Sequence, residues 1–192
     1  MNAEKIMIGS VIAAIVIVGL LIGFSLASFS PSDQNTGGNS GGSPDIQTDV
    51  DLIDQELEVP NWGLIMSDGE VLELESLEGK FLLVDLMAFG CSACELQNDE
   101  FETLMEDMGD NIHVVSLNVD TSATADQMAD YKEDRSLAWY HGLDTNGVFS
   151  SYFSIRFTPT IVIIDDTGYF RMYHEGVWES ETIQEQISLM DN

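Results

Sequence analysis

Phe81-Leu-Leu-Val-Asp-Leu-Met-Ala-Phe-Gly-Cys-Ser-Ala-Cys94 is the stretch on which the reading of this chain turns. Phe81 to Met87 is apolar except for Asp85, and Cys91 and Cys94 follow with two residues between them. Beyond Cys94 the apolar residues change to helical period, with Phe101, Leu104, Met105 and Met108 at i, i+3, i+4 and i+7. The pattern predicts a buried strand that delivers a Cys-x-x-Cys pair to the first turn of a helix. There the first sulfur meets unsatisfied backbone N–H groups and the positive end of the helix dipole, which favour a thiolate. The second cysteine lies near enough to resolve a mixed disulfide. The chain has no other cysteines, so the two form one functional pair.

Other uses of such a pair are open on these residues. Structural zinc needs two more ligands, and only His113, His141 and His174 are available, scattered along the chain; none of the three is given a role. A purely structural disulfide over so short a gap closes a small loop and stabilises little. Cu(I) suits two thiolates, although neither Met nor His lies next to the pair in sequence to complete a site. A fold that keeps the cysteines without redox activity is weakened by the presence of both together with Thr158-Pro159.

The formal charge of −28, from 34 acidic and 6 basic side chains, argues against nucleic acid as a partner, because phosphate neutralisation needs Lys and Arg. Such a surface also repels anionic lipid headgroups and is suited to a salty medium in which charge is screened.

Three parts are expected: residues 1–29 as a membrane anchor or signal peptide, 30–45 as a flexible linker, and 46–192 as one folded domain. From Ile6 to Ala27, 22 residues run without a charge, enough for a hydrocarbon core that needs roughly 20. Lys5 precedes the run and no basic residue follows until Lys80, which places the amino end in the cytoplasm and the domain outside it. The alternative is a cleaved signal peptide with Ser25-Leu26-Ala27 as its processing site. The apolar core is longer than the roughly 7–15 residues of a signal h-region, which favours a retained single-pass anchor. Either way the cysteines meet a compartment that tolerates disulfides. Ser30 to Pro44 is rich in Gly, Ser and Asn and has nothing to bury.

Within the domain, Asp45 to Pro60 carries too few apolar residues for an assignment. Leu64 to Met66 and Val71 to Leu74 are expected to form a hairpin about Ser67-Asp68-Gly69. His113 to Val119 and Leu137 to Leu143 are expected as strands, separated by a short helix that Thr124 and Gln127 open as a capping box, with Met128 and Tyr131 on one face. Asp144-Thr-Asn-Gly147 turns into a short helix over Val148 to Phe153. Thr160 to Ile164 and Tyr169 to His174 form a second hairpin about Asp165-Asp-Thr-Gly168, and Ser180 starts a last helix that turns Ile183, Ile187 and Met190 inward. Trp62, Trp139, Trp178 and the methionines from Met105 to Met190 are expected as packing, and the acids from Asp99 to Asp107 as a solvated helix face. This order of elements describes an α/β sandwich with a mixed sheet.

With these residues in place, the chain resembles the thioredoxin superfamily, and within it the membrane-anchored oxidoreductases of the TlpA and ResA type, over roughly Trp62 to Met190. The motifs that carry the resemblance are Val84 to Cys94, Thr158-Pro159-Thr160 before an apolar strand, and the Asp165 to Gly168 hairpin; Ser122 to Gly147 looks like the helix and strand inserted in that branch. The resemblance implies a thioredoxin-like fold and a thiol–disulfide oxidoreductase without a cofactor. Cys91 then matches the nucleophile and Cys94 the resolving cysteine. Pro159 matches the cis-proline beside the pair, and Thr158 would offer its backbone to a substrate. Asp85 matches the buried acid that takes the proton of the resolving thiol; the alternative is a strand-end carboxylate bonded to backbone or water. Implied partners are proteins with exchangeable disulfides or dithiols, cytochrome c apoproteins among them, and a membrane redox partner. Three positions depart from the family pattern. Gly90 stands where an aromatic residue is usual and implies a more open site. Ser92-Ala93 replaces a Pro-containing dipeptide. Glu95 follows the pair where relatives often carry a base, and its charge is expected to oppose a thiolate. The direction of electron flow therefore does not carry over.

Overall fold

The computed structural model describes residues 51–191, with side chains from residue 57 onward. In chain order the regular elements are β1 (Asp51–Glu58), β2 (Gly63–Ile65), β3 (Val71–Glu73), β4 (Phe81–Met87), α1 (Ser92–Met108), β5 (Ile112–Asn118), α2 (Ala125–Arg135), β6 (Tyr140–Leu143), α3 (Val148–Tyr152), β7 (Thr160–Ile164), β8 (Tyr169–Glu175) and α4 (Ser180–Met190). Six strands form one mixed sheet in the order β1-β8-β7-β4-β5-β6, and β2 and β3 pair as a separate hairpin. β4, β5 and β6 run parallel, whereas β7 lies antiparallel to β4, and β8 antiparallel to both β7 and β1.

β4 is continuous in apolar residues because it is covered on both faces, and all of its residues are buried. Alternation sends Leu83 and Met87 into a core shared with Phe101 and Leu104 of α1, Met128 and Tyr131 of α2, and Ile183 and Ile187 of α4. Leu82, Val84 and Leu86 enter the opposite core, with Leu64, Leu77, Phe149 and Phe170. The domain is therefore a sheet between a helical layer and a second layer made by the β2–β3 hairpin, the turn at Leu74–Leu77 and α3.

The helix signals behave as their chemistry requires. Thr124 and Gln127 form the reciprocal capping box at the start of α2, and Lys132 and Arg135 lie in its last turn, where cations suit the dipole. α1 ends at Gly109, whose φ of 56° lets its N–H reach back to the Met105 carbonyl. α4 is tied to α1 from its approach loop. The Gln97 side chain donates to the Trp178 carbonyl at 3.2 Å and accepts from the Trp178 N–H at 2.7 Å.

Three expectations are corrected. Part of the unassigned Asp45 to Pro60 stretch is strand β1, which adds to the open edge of β8 by backbone pairing and so lacks the apolar run of a central strand. The strand expected from Leu137 begins only at Tyr140. Residues 136–138 are still leaving α2, since Ser136 is left-handed at φ 58° and the Leu137 N–H bonds the Lys132 carbonyl. The first hairpin is paired one residue earlier than expected on its first strand, because Met66 bridges to Gly142 of β6 instead. The apolar run from Ile6 to Ala27 and the linker that follows it lie outside the described residues; among the described residues no helix is long and apolar enough to cross a membrane.

Gly142 holds the hairpin layer against the sheet edge. A Cβ there would lie 2.6 Å from the Ile65 carbonyl oxygen and 2.9 Å from Met66 Sδ. Gly142→Ala is expected to destabilise the domain by about 1–3 kcal/mol, read as a lowered Tm. An unchanged Tm would show that the hairpin yields without cost.

Candidate active site

The turn from β4 into α1 presents the cysteine pair. Gly90 adopts a φ of 73°, a backbone conformation that residues with a side chain rarely take, and so reverses the chain between strand and helix. Its place before Cys91 is thus a backbone requirement, and the aromatic ring at this end of the site is Phe89, packed 5.7 Å from the Tyr131 ring. Cys91 is the N-cap of α1, and its Sγ accepts the Cys94 N–H at 3.1 Å. This N–H and the helix start are the groups that stabilise a thiolate at Cys91 when the pair is reduced. Cys91 and Cys94 form a disulfide with their Cα atoms 5.3 Å apart. Cys91 is partly exposed, whereas Cys94 is 1% exposed and belongs to the helical core. An outside reactant therefore meets Cys91 first.

Thr158 and Pro159 come to the same place from the head of β7. The bond between them is cis, Pro159 is buried, and both the carbonyl oxygen and Oγ1 of Thr158 lie 3.5 Å from Cys91 Sγ. In the disulfide the sulfur carries no proton, so the hydroxyl is the group able to donate. Phe157, one residue earlier, is 63% exposed, and Phe89 and Leu96 are exposed close to the cysteines in sequence. These side chains are exposed and apolar in a chain that as a whole is strongly acidic.

Asp85 is on the same side of the sheet as Cys94. It alternates with Leu83 and Met87, which share a core cluster with Cys94, so its side chain leaves β4 on the face of the sheet that α1 covers. It is 1% exposed, and Oδ2 accepts from Ser116 Oγ at 2.8 Å while Oδ1 has no partner. Burial pushes the carboxyl up to about 7, against the opposing hydrogen bond from Ser116. Ser116 Oγ in turn accepts from Trp139 Nε1 at 2.9 Å. Trp139, expected only as packing, is thus also a hydrogen-bond donor to the site. Trp178 is buried core and Trp62 packs edge-on to Phe149.

Glu95 corrects another expectation. Its two carboxylate oxygens each accept from Arg135 at 2.7 Å, one from Nε and one from an Nη. Arg135 also lies 3.9 Å above the Tyr131 ring, and Tyr131 Oη accepts from Asn98 of α1. The acid next to the pair is therefore neutralised by α2 and opposes a thiolate far less than an unpaired carboxylate would. Ser116 and Arg135 are not singled out by the sequence, and Trp139 is marked there only as packing. A serine inside the apolar His113 to Val119 run was a usable signal, but nothing local marked Arg135 as the partner of Glu95.

Burial depresses His141, down to about 4, and His174, so both are neutral at ordinary pH. Among the described residues no group of three or more His, Cys, Asp and Glu side chains is placed to hold a metal ion.

The family model of the AhpC/TSA family matches residues 56–172. The chain belongs to the AhpC/TSA family. Solved structures agree on the fold. StoA from Bacillus subtilis superposes with a TM-score of 0.54 at 18% identity, over 65% of this chain and 93% of its own. A thiol:disulfide interchange protein of the thioredoxin family from Chlorobium tepidum gives 0.61 at 17% identity, over 70% of this chain and 96% of its own. The exposed lipoprotein thioredoxin of Streptococcus pneumoniae gives 0.56 at 22% identity, over 67% of this chain and 98% of its own. No curated protein matches the chain. This AhpC/TSA member accordingly has the thioredoxin-like fold that its motifs implied, with α2 and β6 in the Ser122 to Gly147 segment.

The buried acid also makes stability depend on pH. In the folded protein Asp85 holds a proton that the unfolded chain releases from 3.8 upward, so stability is lost as pH rises from 3.8 through about 7. Asp85→Asn removes that loss. It is expected to be more stable than the parent by a few kcal/mol above neutrality, with the gap closing in acid. Melting curves across pH check this; a gap that does not vary with pH would contradict it.

Proposed function

We propose that this protein is a membrane-tethered thiol–disulfide oxidoreductase working outside the cytoplasm on protein clients. The observation that carries the reading is the unequal placement of the two bonded cysteines. Cys91 is reachable, at a helix start and against the cis Thr158–Pro159 bond, while Cys94 is buried above the face that holds Asp85. Membership of the AhpC/TSA family and the thioredoxin-like fold support it. The anchor and the outward location rest on Lys5 and the uncharged run from Ile6 to Ala27. The similar fold of a streptococcal protein described as an exposed lipoprotein is compatible with that placement.

In the reduced state the Cys91 thiolate attacks a client disulfide. A bond forms between Cys91 and one client sulfur, and the other client sulfur leaves as a thiolate that takes a proton from water. Cys94 then gives its proton to Asp85 and attacks Cys91. The Cys91–Cys94 disulfide forms, the mixed disulfide breaks, and the second client thiolate departs. Two electrons pass from the pair to the client. The exchange is reversible, so the reduction potential of the pair against its compartment sets the net direction, and a membrane redox partner resets the pair. On this reading Thr158, whose carbonyl oxygen is 3.5 Å from Cys91 Sγ, meets the client backbone, and the exposed Phe89, Leu96 and Phe157 offer the client apolar contacts.

Cys94→Ser is expected to accumulate mixed disulfides with clients through Cys91, and Cys91→Ser to accumulate few, on non-reducing gels. Asp85→Asn is expected to leave the attack of Cys91 largely intact and to slow resolution in single-turnover measurements. Equal trapping by the two cysteine variants would overturn the assignment of roles. For the location, the full chain is expected in the membrane fraction and open to protease from outside; a soluble form beginning near Ser28 would replace the anchor with a signal peptide.

A further inference from the structure

Asp85 is part of a row of residues that crosses the sheet. Ser116 of β5 is in register beside it and His141 of β6 comes next; on the other side are Ile161 of β7 and His174 of β8. Within this row two hydrogen bonds have a fixed sense. An indole N–H donates and has no acceptor capacity, so the bond from Trp139 Nε1 to Ser116 Oγ makes the hydroxyl an acceptor there. The single hydroxyl proton is then free for the one other polar atom in reach, Asp85 Oδ2 at 2.8 Å. With Asp85 ionised, and so an acceptor only, the order Trp139 to Ser116 to Asp85 follows from the donor inventory. Oδ1 of the same carboxyl is buried without a partner.

We infer that Ser116 and Trp139 are positioning residues for proton transfer in this enzyme, holding Asp85 Oδ2 as a hydrogen-bond acceptor and leaving Oδ1 as the oxygen that receives the Cys94 proton. This rests on the reading of Asp85 as proton acceptor given above. A serine without the indole contact would be free to rotate and to turn its lone pairs on the carboxylate; the indole removes that freedom. The donated hydrogen bond favours the ionised carboxylate and opposes the burial that favours the neutral one. It thereby keeps Asp85 able to accept a proton near neutral pH.

The neighbouring titratable groups do not take over this role. Tyr131 on α2 is raised above its usual value, chiefly by burial, and His141 and His174 are depressed by it, so all three are neutral around pH 7. Lys132 donates to the Trp139 carbonyl at 2.7 Å, and Glu95 on α1 is paired with Arg135. With Cys91 and Cys94 oxidised, Asp85 is the group of this cluster left to titrate near neutrality.

The test uses the full chain. In the oxidised protein the Asp85 carboxyl is titrated by carbon-13 NMR, assigned by its loss in Asp85→Asn; in the reduced protein the pH profile of Cys94 resolution is measured. Ser116→Ala is expected to raise the NMR midpoint by about one pH unit, a tenfold change in proton affinity. The rising limb of the resolution rate should move up with it while the attack of Cys91 is unchanged. Ser116→Thr, which retains the hydroxyl, should restore both, and Trp139→Phe should move them the same way by less. An unmoved midpoint in Ser116→Ala, or an equal displacement in Ser116→Thr, would overturn the positioning role. Unchanged resolution in Asp85→Asn would instead overturn the acceptor reading, and the proton-transfer role with it, whatever the midpoint does.

Discussion

Strand β4 is paired on both edges and covered on both faces, and this double coverage is the constraint from which the site follows. A strand held in that way ends at a defined point, so the turn at Gly90 and the first turn of α1 are delivered to one place. The same coverage strips water from Asp85. A carboxyl in such surroundings is costly unless it is neutral or hydrogen-bonded, and here burial lifts it into the range in which it can exchange protons near neutral pH.

Charge is handled locally, against the trend of the whole chain. With a formal charge of −28 the chain is strongly acidic. Yet Glu95, the acid next to the cysteines in sequence, is held by one of the few basic side chains, Arg135, and the buried histidines on the helical side are neutral. The thiol pair therefore meets the helix start and the Cys94 N–H with little interference from Glu95. Helix α2 brings this about. It contributes Arg135 to Glu95, Tyr131 to Asn98, and a last turn that supports Trp139 through Lys132.

The two cores divide the work. The core on the helical side contains Cys94 and receives Asp85, so changes there reach the chemistry. The opposite core, with Phe149, Phe170 and Leu64, braces the other side of β4 and is closed by a hairpin whose approach depends on Gly142. The result is a sheet packed on both faces that carries one reachable sulfur, with exposed apolar residues close to it in sequence.

By itself the sequence determined most of the elements and the place of the cysteine pair between strand and helix. Hydrophobic period separated β4 from α1, Thr124 and Gln127 marked the start of α2, and the only two cysteines stood at the strand–helix junction. These signals depend on neighbours within a turn or two of chain, where spacing alone dictates contact. Strand β1 was not legible, because an edge strand is stabilised by backbone pairing with β8 more than by its own pattern. Only the tertiary structure decided the pairings that tune the site. Ser116 bonds Asp85 across 31 residues, Arg135 bonds Glu95 across 40, and Thr158 reaches Cys91 across 67. Many acids and hydroxyls in this chain have equivalent side-chain chemistry, and the sheet register and the docking of α2 choose among them. That choice is a property of packing, which no local spacing encodes.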